Sequence, residues 1–524
     1  MGFSNYLTSA KLQIKQHVLR TFKFTDTSAL TEAEIKAYVD MLCSSAIPIP
    51  SETYAWLANM FKYIQDKDNM LVYDHSRGLW EFYRDDTLLR NVLTDYFTII
   101  AEEAEKKRDK ILMRYARVFF APGKIPNLST RIKTAVHFLI RRSSDVISQT
   151  EHLRYFNTTE GTRALLDLSK PSFNLRTVSL PDTQPLMLTQ LASIPINTTD
   201  EDPTLWLSLI EEYMLHDPVK IEYFHKVLAY MMAPYNYNQA LLYFYGSEGR
   251  NGKGTVMKVL LDILGYSAAM LTPDIIDANP PVSFKKDDAL KSTEGKSLLI
   301  FNELDERMIA STQNIKTLTE GGRDKFGNKI MTTVRPAYSK NYDINISGIP
   351  LLIANRLINF GDWSALGPIF KRLVLVSFDF LIVKEDPTIA DRLAMEYPKI
   401  QLWLYRNYFK YKDIVIKDEP KPLSFALLVE TYRADSDIIS LFWDNCLLAT
   451  GSNADRMLRA DIYRMYEQFC EANGKKAIKN IGTNGFATLI KKRLEKFQTV
   501  NSGGAHYICG IKQSPYFEKE IKPF

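Results

Sequence analysis

The sequence predicts a multidomain α/β protein with a mostly helical N-terminal domain, a central parallel sheet and a small C-terminal winged-helix domain. The chain has 524 residues and 46% of them are hydrophobic, so it is long enough for about three domains with buried cores. Between about residues 238 and 380, short apolar segments alternate with helical segments, which is typical of a largely parallel sheet. The last hundred or so residues follow a Pro-containing linker and show a helix, turn, helix and hairpin pattern.

Breaks in the hydrophobic periodicity and Pro-containing segments set the predicted domain boundaries. They divide the chain into a helical lead-in, an N-terminal domain with its connector, the central domain and the C-terminal domain, which cover residues 1–50, 51–204, 205–418 and 419–524. The connector, residues 169–204, is rich in Pro, Thr, Ser and Asp and has little periodicity. The central domain opens with one or two helices over Leu205–Met232 and closes with a mostly helical segment, residues 381–418.

The N-terminal part contains three recognisable local patterns. Ser28–Cys43 predicts an amphipathic helix that ends before a Pro-containing break. Met70–Tyr73 and Leu79–Tyr83, separated by a turn with Gly, predict a β-hairpin. Glu102–Arg142 predicts a helical region rich in Lys and Arg, for which two interpretations stay open: a solvated helix face, or a surface that faces nucleic acid.

Composition excludes several classes of protein and leaves others open. The net charge of +5 is compatible with a nucleic-acid partner but does not establish one. The four cysteines are far apart and form no CxxC pair, so a zinc site or a disulfide framework is not expected and a reducing cytoplasm fits best. No segment has the profile of a signal peptide, and no apolar run is long enough to span a bilayer, so we expect no membrane association.

A glycine-rich loop between a predicted strand and a predicted helix is the first functional candidate. Leu241–Tyr245 predicts a buried strand, and Val256–Leu264 predicts a helix that Gly265 ends. Backbone N–H groups of such a loop and the positive end of the helix bind phosphate, and Lys253 would reach the β- and γ-phosphates of a nucleotide. The candidate ATP-binding residues are Gly246, Gly249, Asn251, Gly252, Lys253, Gly254 and Thr255.

This loop departs from the usual phosphate-loop pattern in two ways. Five residues separate Gly246 from Gly252, where the usual spacing is four. Gly254 follows the lysine, where Ser or Thr normally contacts Mg²⁺, and Thr255 comes one position later. A glycine-rich loop without a ligand is the alternative, which the agreement of strand, loop, lysine and helix disfavours.

Acidic and amide residues directly follow a second predicted strand. Ser297–Phe301 leads directly into Asn302, Glu303 and Asp305, and a carboxylate at such a strand end can polarise an attacking water. Glu303 is the candidate, and Thr255 and Asp305 are the candidate Mg²⁺ ligands, because both usual protein contacts to the metal are atypical here. An isolated acidic turn would more often be a solvated surface feature.

Asn355 and Arg372 complete the set of candidate catalytic residues. Pro350–Asn355 predicts a buried strand that ends in an amide, which can orient the attacking water or contact the γ-phosphate. Phe370–Val376 places two cations at the start of a predicted strand, and Arg372 could stabilise charge on the transferred phosphoryl group of a neighbouring subunit. Each signal is weak on its own, since an amide at a strand end and a surface Arg are common.

In combination, these segments resemble the superfamily-three DNA helicases of the poxvirus and phage helicase–primase type. The resemblance rests on the order and spacing of five segments, Gly246–Thr255, Ser297–Asp305, Leu318–Lys329, Pro350–Arg356 and Phe370–Val376, which look like that family's Walker A, Walker B, pre-sensor hairpin, sensor and arginine finger. Asn251-Gly-Lys253 is a habit of the family. The likeness covers about nine-tenths of the chain, judged against usual domain sizes. It implies that the central domain is an AAA+-type P-loop NTPase.

The resemblance implies a ring, usually a hexamer, that hydrolyses ATP with Mg²⁺ at subunit interfaces and pulls single-stranded DNA through its pore to unwind forked DNA. It also implies replication of a virus, phage or mobile element, with a primase and a polymerase as separate partners. Only about fifty residues precede the helicase-associated region, so we expect no primase activity in this chain. The candidate DNA-binding residues of the pore hairpin are Lys325, Phe326, Lys329, Arg335 and Lys340.

The C-terminal pattern predicts a winged helix. Leu458–Glu471 and Phe486–Leu494 predict two helices, and Phe497–Cys509 predicts a hairpin that turns at two glycines. The second helix has a basic stripe, and its candidate DNA-binding residues are Lys491, Lys492 and Arg493, with Lys496 just beyond. Winged helices also bind proteins, so both kinds of partner stay open.

Three hypotheses follow from the sequence. The first is the active helicase, which single-stranded DNA should stimulate. The second is a replication initiator or structural DNA-binding ring with a degenerate ATPase site, motivated by Gly254 and Asn302. The third is a packaging or strand-pumping ATPase that prefers duplex DNA and separates no strands. We favour the first because Lys253, Glu303, Asn355 and Arg372 occur together.

Overall fold

In the computed structural model, the N-terminal part consists of helices packed on a four-stranded sheet. The helices are α1 (Phe3–Thr21), α2 (Glu32–Cys43), α3 (Ser51–Met60), α4 (Thr87–Lys106), α5 (Lys110–Val118) and α6 (Lys124–Thr134). The strands are β1 (Phe61–Ile64), β2 (Asn69–Asp74), β3 (Leu79–Tyr83) and β4 (Leu139–Ile140), in the order β3-β2-β1-β4.

Over the whole chain, the structure describes residues 3–64, 69–74, 77–83, 86–134, 139–140, 151–304, 308–324, 326–335, 341–360, 366–436, 438–472, 486–487, 490, 499–502, 505–515 and 517.

Two local predictions for this part are confirmed. Strands β2 and β3 pair antiparallel, with Met70 opposite Tyr83, as the predicted hairpin requires. The predicted amphipathic helix is α2, but it begins at Glu32 rather than Ser28. The later start has a physical reason, because Thr31 and Glu34 form a capping box that satisfies the first backbone N–H groups of the helix.

A second sheet extends from the end of the predicted N-terminal domain into the predicted connector. Strands β5 (Leu153–Asn157), β6 (Arg163–Asp167) and β7 (Leu175–Thr177) form an antiparallel sheet, followed by the short helix α7 (Leu180–Thr183). Residues 169–204 therefore contain β7 and α7, and Leu188 and Ile196 are buried within this segment. These two elements are too short to give a periodic pattern, which is why the sequence did not indicate them.

The central domain is built around five parallel strands, as predicted. Its helices are α8 (Thr204–Tyr213), α9 (Pro218–Met231), α10 (Lys253–Leu264), α11 (Lys286–Leu290), α12 (Thr312–Thr319), α13 (Leu366–Arg372), α14 (Ile389–Tyr411) and α15 (Leu423–Ser436). Its strands are β8 (Leu241–Tyr245), β9 (Ala268–Leu271), β10 (Leu298–Phe301), β11 (Ile309–Ala310), β12 (Thr332–Val334), β13 (Tyr342–Ile344), β14 (Ile349–Ala354), β15 (Asn359–Phe360) and β16 (Leu373–Ser377). The sheet order is β16-β8-β14-β10-β9, and every pairing is parallel.

Both faces of this sheet are buried, which explains its continuous apolar strands. In β8, Leu242 and Phe244 join the core formed with helices α8, α9, α10 and α14. Leu241 and Tyr243 point to the opposite core, which includes Leu318 of α12. The alternation of side chains along a strand thus serves two cores at once, and the sheet holds its strand ends in fixed positions.

Two predicted boundaries in the central domain differ from the structure. We predicted Lys371 and Arg372 at the start of a strand, but they form the last turn of α13, and β16 begins one residue later at Leu373. The predicted linker, residues 419–422, lies outside helices and strands. The helix that follows it, α15, still packs on the central sheet, because Phe425 and Tyr432 are buried in its two cores.

The C-terminal part has a small core of its own. It contains α16 (Ile438–Cys446), β17 (Leu447–Ala449), β18 (Arg456–Leu458), α17 (Arg459–Ala472), β19 (Thr499–Ser502), β20 (Ala505–Cys509) and β21 (Ile511–Gln513). The predicted first helix is α17, and the predicted hairpin is formed by β19 and β20. Phe442, Tyr466 and Phe486 pack together in the core.

The basic stripe predicted for the second C-terminal helix lies outside the described residues. This applies to Lys491, Lys492, Arg493 and Lys496, so the winged helix stays a prediction. Among the residues that the structure does describe, no helix combines the length and apolar character needed to cross a membrane.

Candidate nucleotide-binding site

The glycine-rich loop lies at the point where the central sheet changes direction. The loop connects the carboxyl end of β8 to the first turn of α10, and β8 lies between β14 and β16. The chain leaves β8 toward the far edge of the sheet, returns as far as β14, and then passes to β16 on the other side. Ligands of open parallel sheets bind in the crevice that such a switch point creates.

Two glycines of the loop are required by close contacts. Gly252 has φ +87°, and a Cβ atom there would lie 2.5 Å from the ring of Tyr213. A Cβ atom on Gly246 would lie 2.1 Å from the Asn251 amide nitrogen. By contrast, a Cβ atom on Gly249 or Gly254 would meet nothing within 4 Å. The loop is therefore closed tightly at its two ends and open in between.

Asn251 holds the loop in shape. Its side-chain Nδ2 donates to the Glu248 carbonyl at 2.8 Å and to the Phe378 carbonyl at 3.3 Å. Its Oδ1 accepts a hydrogen bond from Lys253 Nζ at 2.9 Å. Asn251 thus ties the loop to the residue that follows β16 and orients the lysine.

Lys253 places a cation among neutral oxygens. Its Nζ donates to Asn251 Oδ1 and to Asn355 Oδ1, each at 2.9 Å, and to the Gly246 carbonyl at 3.2 Å. Lys253 is only 5% exposed, and burial lowers its pKa to about 8. No carboxylate forms an ion pair with it within the described residues, so an anion entering the cleft would supply the missing charge.

The cleft in front of Lys253 has a volume of about 410 Å³ and brings together most of the predicted site. The residues that line it include, besides the loop, Asn302, Glu303, Asn355 and Arg356. Glu303 is exposed and has φ +56°, a conformation that non-glycine residues adopt only where the surroundings impose it. The three strands β8, β10 and β14 therefore present lysine, carboxylate and amide to one space.

The candidate metal ligands fit Mg²⁺ only in part. Thr255 lines the cleft, and its side chain interacts with the Tyr213 hydroxyl. Burial raises the pKa of Tyr213, and the contact with Thr255 acts in the opposite direction. Asp305 lies outside the described residues, and Gly254 offers no side chain. Among the described residues that line the cleft, Thr255, Asn302 and Glu303 have side-chain oxygens that do not accept a hydrogen bond from Lys253. Mg²⁺ commonly takes one or two protein ligands together with phosphates and water, and this set fits that mode.

Arg372 lies at the amino ends of the sheet strands, whereas the glycine-rich loop lies at their carboxyl ends. It precedes Leu373, which pairs with Leu241 at the start of β8, whereas the loop follows Tyr245 at the end of β8. The amino and carboxyl ends of β8 are separated by about 15 Å. Arg372 accordingly does not line the cleft of its own chain.

One cation of the predicted DNA-binding loop is already paired within the protein. Lys329 Nζ lies 3.0 Å from a carboxylate oxygen of Glu151, which also binds Arg323. Phe326 is 77% exposed and Arg335 is exposed, while Lys325 and Lys340 lie outside the described residues. Within the predicted segment Leu318–Lys329, Arg323 and Lys329 form an isolated antiparallel bridge, and β12 and β13 form an antiparallel hairpin after it.

Sequence analysis missed Tyr213 and Arg356. Tyr213 ends α8 and is buried against Phe378 and Phe380, with its ring against Gly252. Nothing in the local sequence around Tyr213 points to the loop, because the contact joins residues about forty positions apart. Arg356 directly follows the predicted Asn355, and its place next to a strand end was the one available signal.

Comparisons with known proteins give distant structural likenesses. No protein-family model and no curated protein sequence matches the chain. The apo structure of the NrS-1 C-terminal region is 11% identical, with a TM-score of 0.34, over 70% of this chain and 98% of that chain. The structure of JCV helicase is 10% identical, with a TM-score of 0.23, over 82% of this chain and 92% of that chain. The assignment of the cleft rests on its own geometry and not on these likenesses.

The two glycines on either side of Lys253 should respond in opposite ways to alanine. Gly252→Ala should destabilise the protein, because a left-handed alanine costs about 1–2 kcal/mol and its methyl group collides with Tyr213. Gly254→Ala should stabilise it by about 0.5–1 kcal/mol, since the position is helical and open. Thermal unfolding of the two variants tests this, and equal midpoints would contradict the role assigned to Tyr213.

Nucleotide binding should depend on pH through Lys253. Phosphates raise the pKa of this lysine above its value of about 8 in the free protein. Affinity should therefore be full below pH 8 and fall as the pH rises above it, where the terminal phosphate, with a second pKa of about 6, is already ionised. Calorimetry with ATP at pH 8.5, in two buffers of different ionisation enthalpy, should show proton uptake. The Lys253→Met variant is the control, and equal uptake by both proteins would assign the proton to another group.

Proposed function

We propose that this protein is an ATP-driven DNA helicase that works as a ring of six subunits during replication of a virus, phage or mobile element. The observation that carries the proposal is the buried Lys253 ammonium, held between Asn251 and Asn355 at the mouth of a cleft that also contains Glu303. A lysine, a carboxylate and an amide at the ends of adjacent parallel strands are what phosphoryl transfer from ATP requires.

Each residue has a distinct role in this proposal. Lys253 binds the β- and γ-phosphates, with the N–H groups of the loop and of the first turn of α10. Glu303 polarises the attacking water, and Asn355 orients that water or contacts the γ-phosphate. Bound Mg²⁺ would neutralise developing phosphate charge, and Thr255 and Glu303 are the described residues that would hold it, with Asp305 as a further candidate.

The ring is supported by the position of Arg372. Because Arg372 lies at the sheet edge opposite its own loop, it can act on ATP only in a neighbouring subunit. A head-to-tail contact that brings it there generates a closed ring when the rotation closes. We further propose that the central domain is of the AAA+ type, that the C-terminal part is a winged helix, and that the hairpin of β12 and β13, with Phe326 and Arg335 nearby, faces DNA in the pore.

The degenerate-site alternative keeps one observation in its favour. Gly254 and Asn302 stand where a hydroxyl and a carboxylate would normally contact the metal, and Thr255 is engaged with Tyr213. A ring with this site would hydrolyse no ATP, whether or not it binds the nucleotide. The two functions are separated by measuring hydrolysis.

ATP hydrolysis by the natural chain should require Mg²⁺, increase with single-stranded DNA, and disappear in Lys253→Ala. Glu303→Gln should still bind ATP but lose turnover, since the amide accepts no proton from the water. Phosphate release with no DNA, single strands or duplex checks these expectations. Absence of turnover in the folded natural chain would favour the degenerate site, and stimulation by duplex alone would favour a packaging motor.

Mixing two inactive variants should restore part of the activity. Lys253→Ala lacks its own phosphate contact and Arg372→Ala lacks the cation given to a neighbour, so each alone should be inactive. In an equal mixture, about a quarter of the subunit interfaces would join an intact Lys253 to an intact Arg372. We expect about a quarter of the natural turnover. No recovery, with mixed rings verified by a tag on one variant, would show that Arg372 does not act between subunits.

A further inference from the structure

Positive charge is concentrated in one segment of the N-terminal part, far in sequence from the nucleotide cleft. Residues 106–133 contain one acidic residue, Asp109, and nine basic residues: Lys106, Lys107, Arg108, Lys110, Arg114, Arg117, Lys124, Arg131 and Lys133. Asp109 is 3% exposed and caps α5, accepting hydrogen bonds from the Leu112 and Thr25 backbone N–H groups. Its charge is therefore used inside the fold and does not balance the surface.

Helix α5 turns these cations into a line. Lys110, Arg114 and Arg117 follow each other at the spacing of one helix face, and all three are exposed. The opposite face of the helix is buried in the domain core through Leu112, Tyr115, Ala116 and Phe119. Lys107 and Arg108 precede this line and Lys124 follows it, and these three are exposed too. We call the six residues Lys107, Arg108, Lys110, Arg114, Arg117 and Lys124 the basic ridge.

Half of the basic ridge is partly satisfied within the protein. Arg114 forms an ion pair with Glu32, and Lys110 Nζ donates to the Ser28 carbonyl at 3.3 Å. Arg108 lies near enough to Asp26 to lower the pKa of that carboxyl, although hydrogen bonds from Ser28 lower it more. The side chains of Lys107, Arg117 and Lys124 form no ion pair or hydrogen bond within the described part of the chain. These three cations remain available to a partner.

We propose that the basic ridge binds the phosphate backbone of duplex DNA, at a second site distinct from the nucleotide cleft and from the hairpin of the central domain. Cations three or four residues apart on a helix are about 5–6 Å apart, so the ridge presents a rigid row of charges to a regular row of phosphates. Binding of this kind positions a duplex without reading its sequence.

The chemistry of the ridge favours duplex DNA over other anionic partners. Single strands are usually held by stacking on aromatic side chains, and within residues 106–133 Phe120, at 47% exposure, is the one exposed aromatic residue. A membrane-binding helix inserts its apolar face, but the apolar face of α5 is already buried in the core. What remains on the surface is a row of three cations on α5, flanked by Lys107, Arg108 and Lys124, which suits electrostatic contact with a duplex.

The test neutralises the three unpaired cations in the full chain. The ridge variant carries Lys107→Gln, Arg117→Gln and Lys124→Gln. A matched control carries Arg176→Gln, Lys285→Gln and Lys384→Gln, three exposed cations outside the helices that pack on α5. Anisotropy of a labelled blunt duplex is measured from 50 to 200 mM salt. Log affinity decreases as log salt increases, and for the ridge variant the magnitude of this slope should be smaller by about 2.7, at about 0.9 per phosphate contact. For the control variant the slope should stay unchanged.

Further measurements keep this proposal separate from the proposed motor. Basal ATP hydrolysis, or ATP binding if the chain does not turn over, should be equal in the natural chain and both variants, which also verifies folding. Equal slopes for the ridge variant and the natural chain would overturn the proposal, as would equal loss in the control. Ridge-dependent binding to phosphatidylserine vesicles without any ridge-dependent duplex binding would assign the surface to a membrane instead, and would also overturn it.

Discussion

Lys253 holds its ammonium group where only neutral oxygens surround it, and the arrangement of the central domain follows from that requirement. Two amide oxygens and one carbonyl compensate part of the lost hydration, at 2.9–3.2 Å. One of those amides comes from the loop and the other from the end of β14. The ammonium can therefore be placed only if β8 and β14 are neighbours in register, which the two buried faces of the sheet secure. A site built in this way is electrostatically incomplete until an anion enters.

The same sheet that assembles the cleft also limits what one chain can supply to it. The parallel strands bring Lys253, Glu303 and Asn355 together at their carboxyl ends. Arg372, the last residue of α13, lies at the amino ends of the same strands. No rotation of a side chain brings the two ends together. Two arginines of the same chain, Arg250 and Arg356, do line the cleft, so a second cation for the transferred phosphoryl group comes from one of these or from another molecule. Sheet topology therefore separates Arg372 from the cleft of its own chain.

Sequence patterns predicted the parts of the site that depend on local order. Strands β8, β10 and β14 are apolar and buried, and the polar residue after each can be read directly from the chain, so their convergence was predictable. The contact between Tyr213 and Gly252 was not, because it joins a helix end to a loop through packing alone. The sheet of β5, β6 and β7 was missed in part because its last elements are short. Periodicity needs length, and residues 169–204 have little of it.

The Glu151 carboxylate shows how a distant segment can alter a prediction made from the sequence. Lys329 was predicted to grip phosphate because it lies where the resemblance places a pore hairpin. In the fold, Glu151 lies just before β5 and binds both Arg323 and Lys329, at 13% exposure. A phosphate could take Lys329 only by displacing a carboxylate that would then be left partly buried and with one partner fewer. Because that exchange costs free energy, binding of a strand at this loop falls first to groups outside the pair, such as Arg335, or to movement of the segment that carries Glu151.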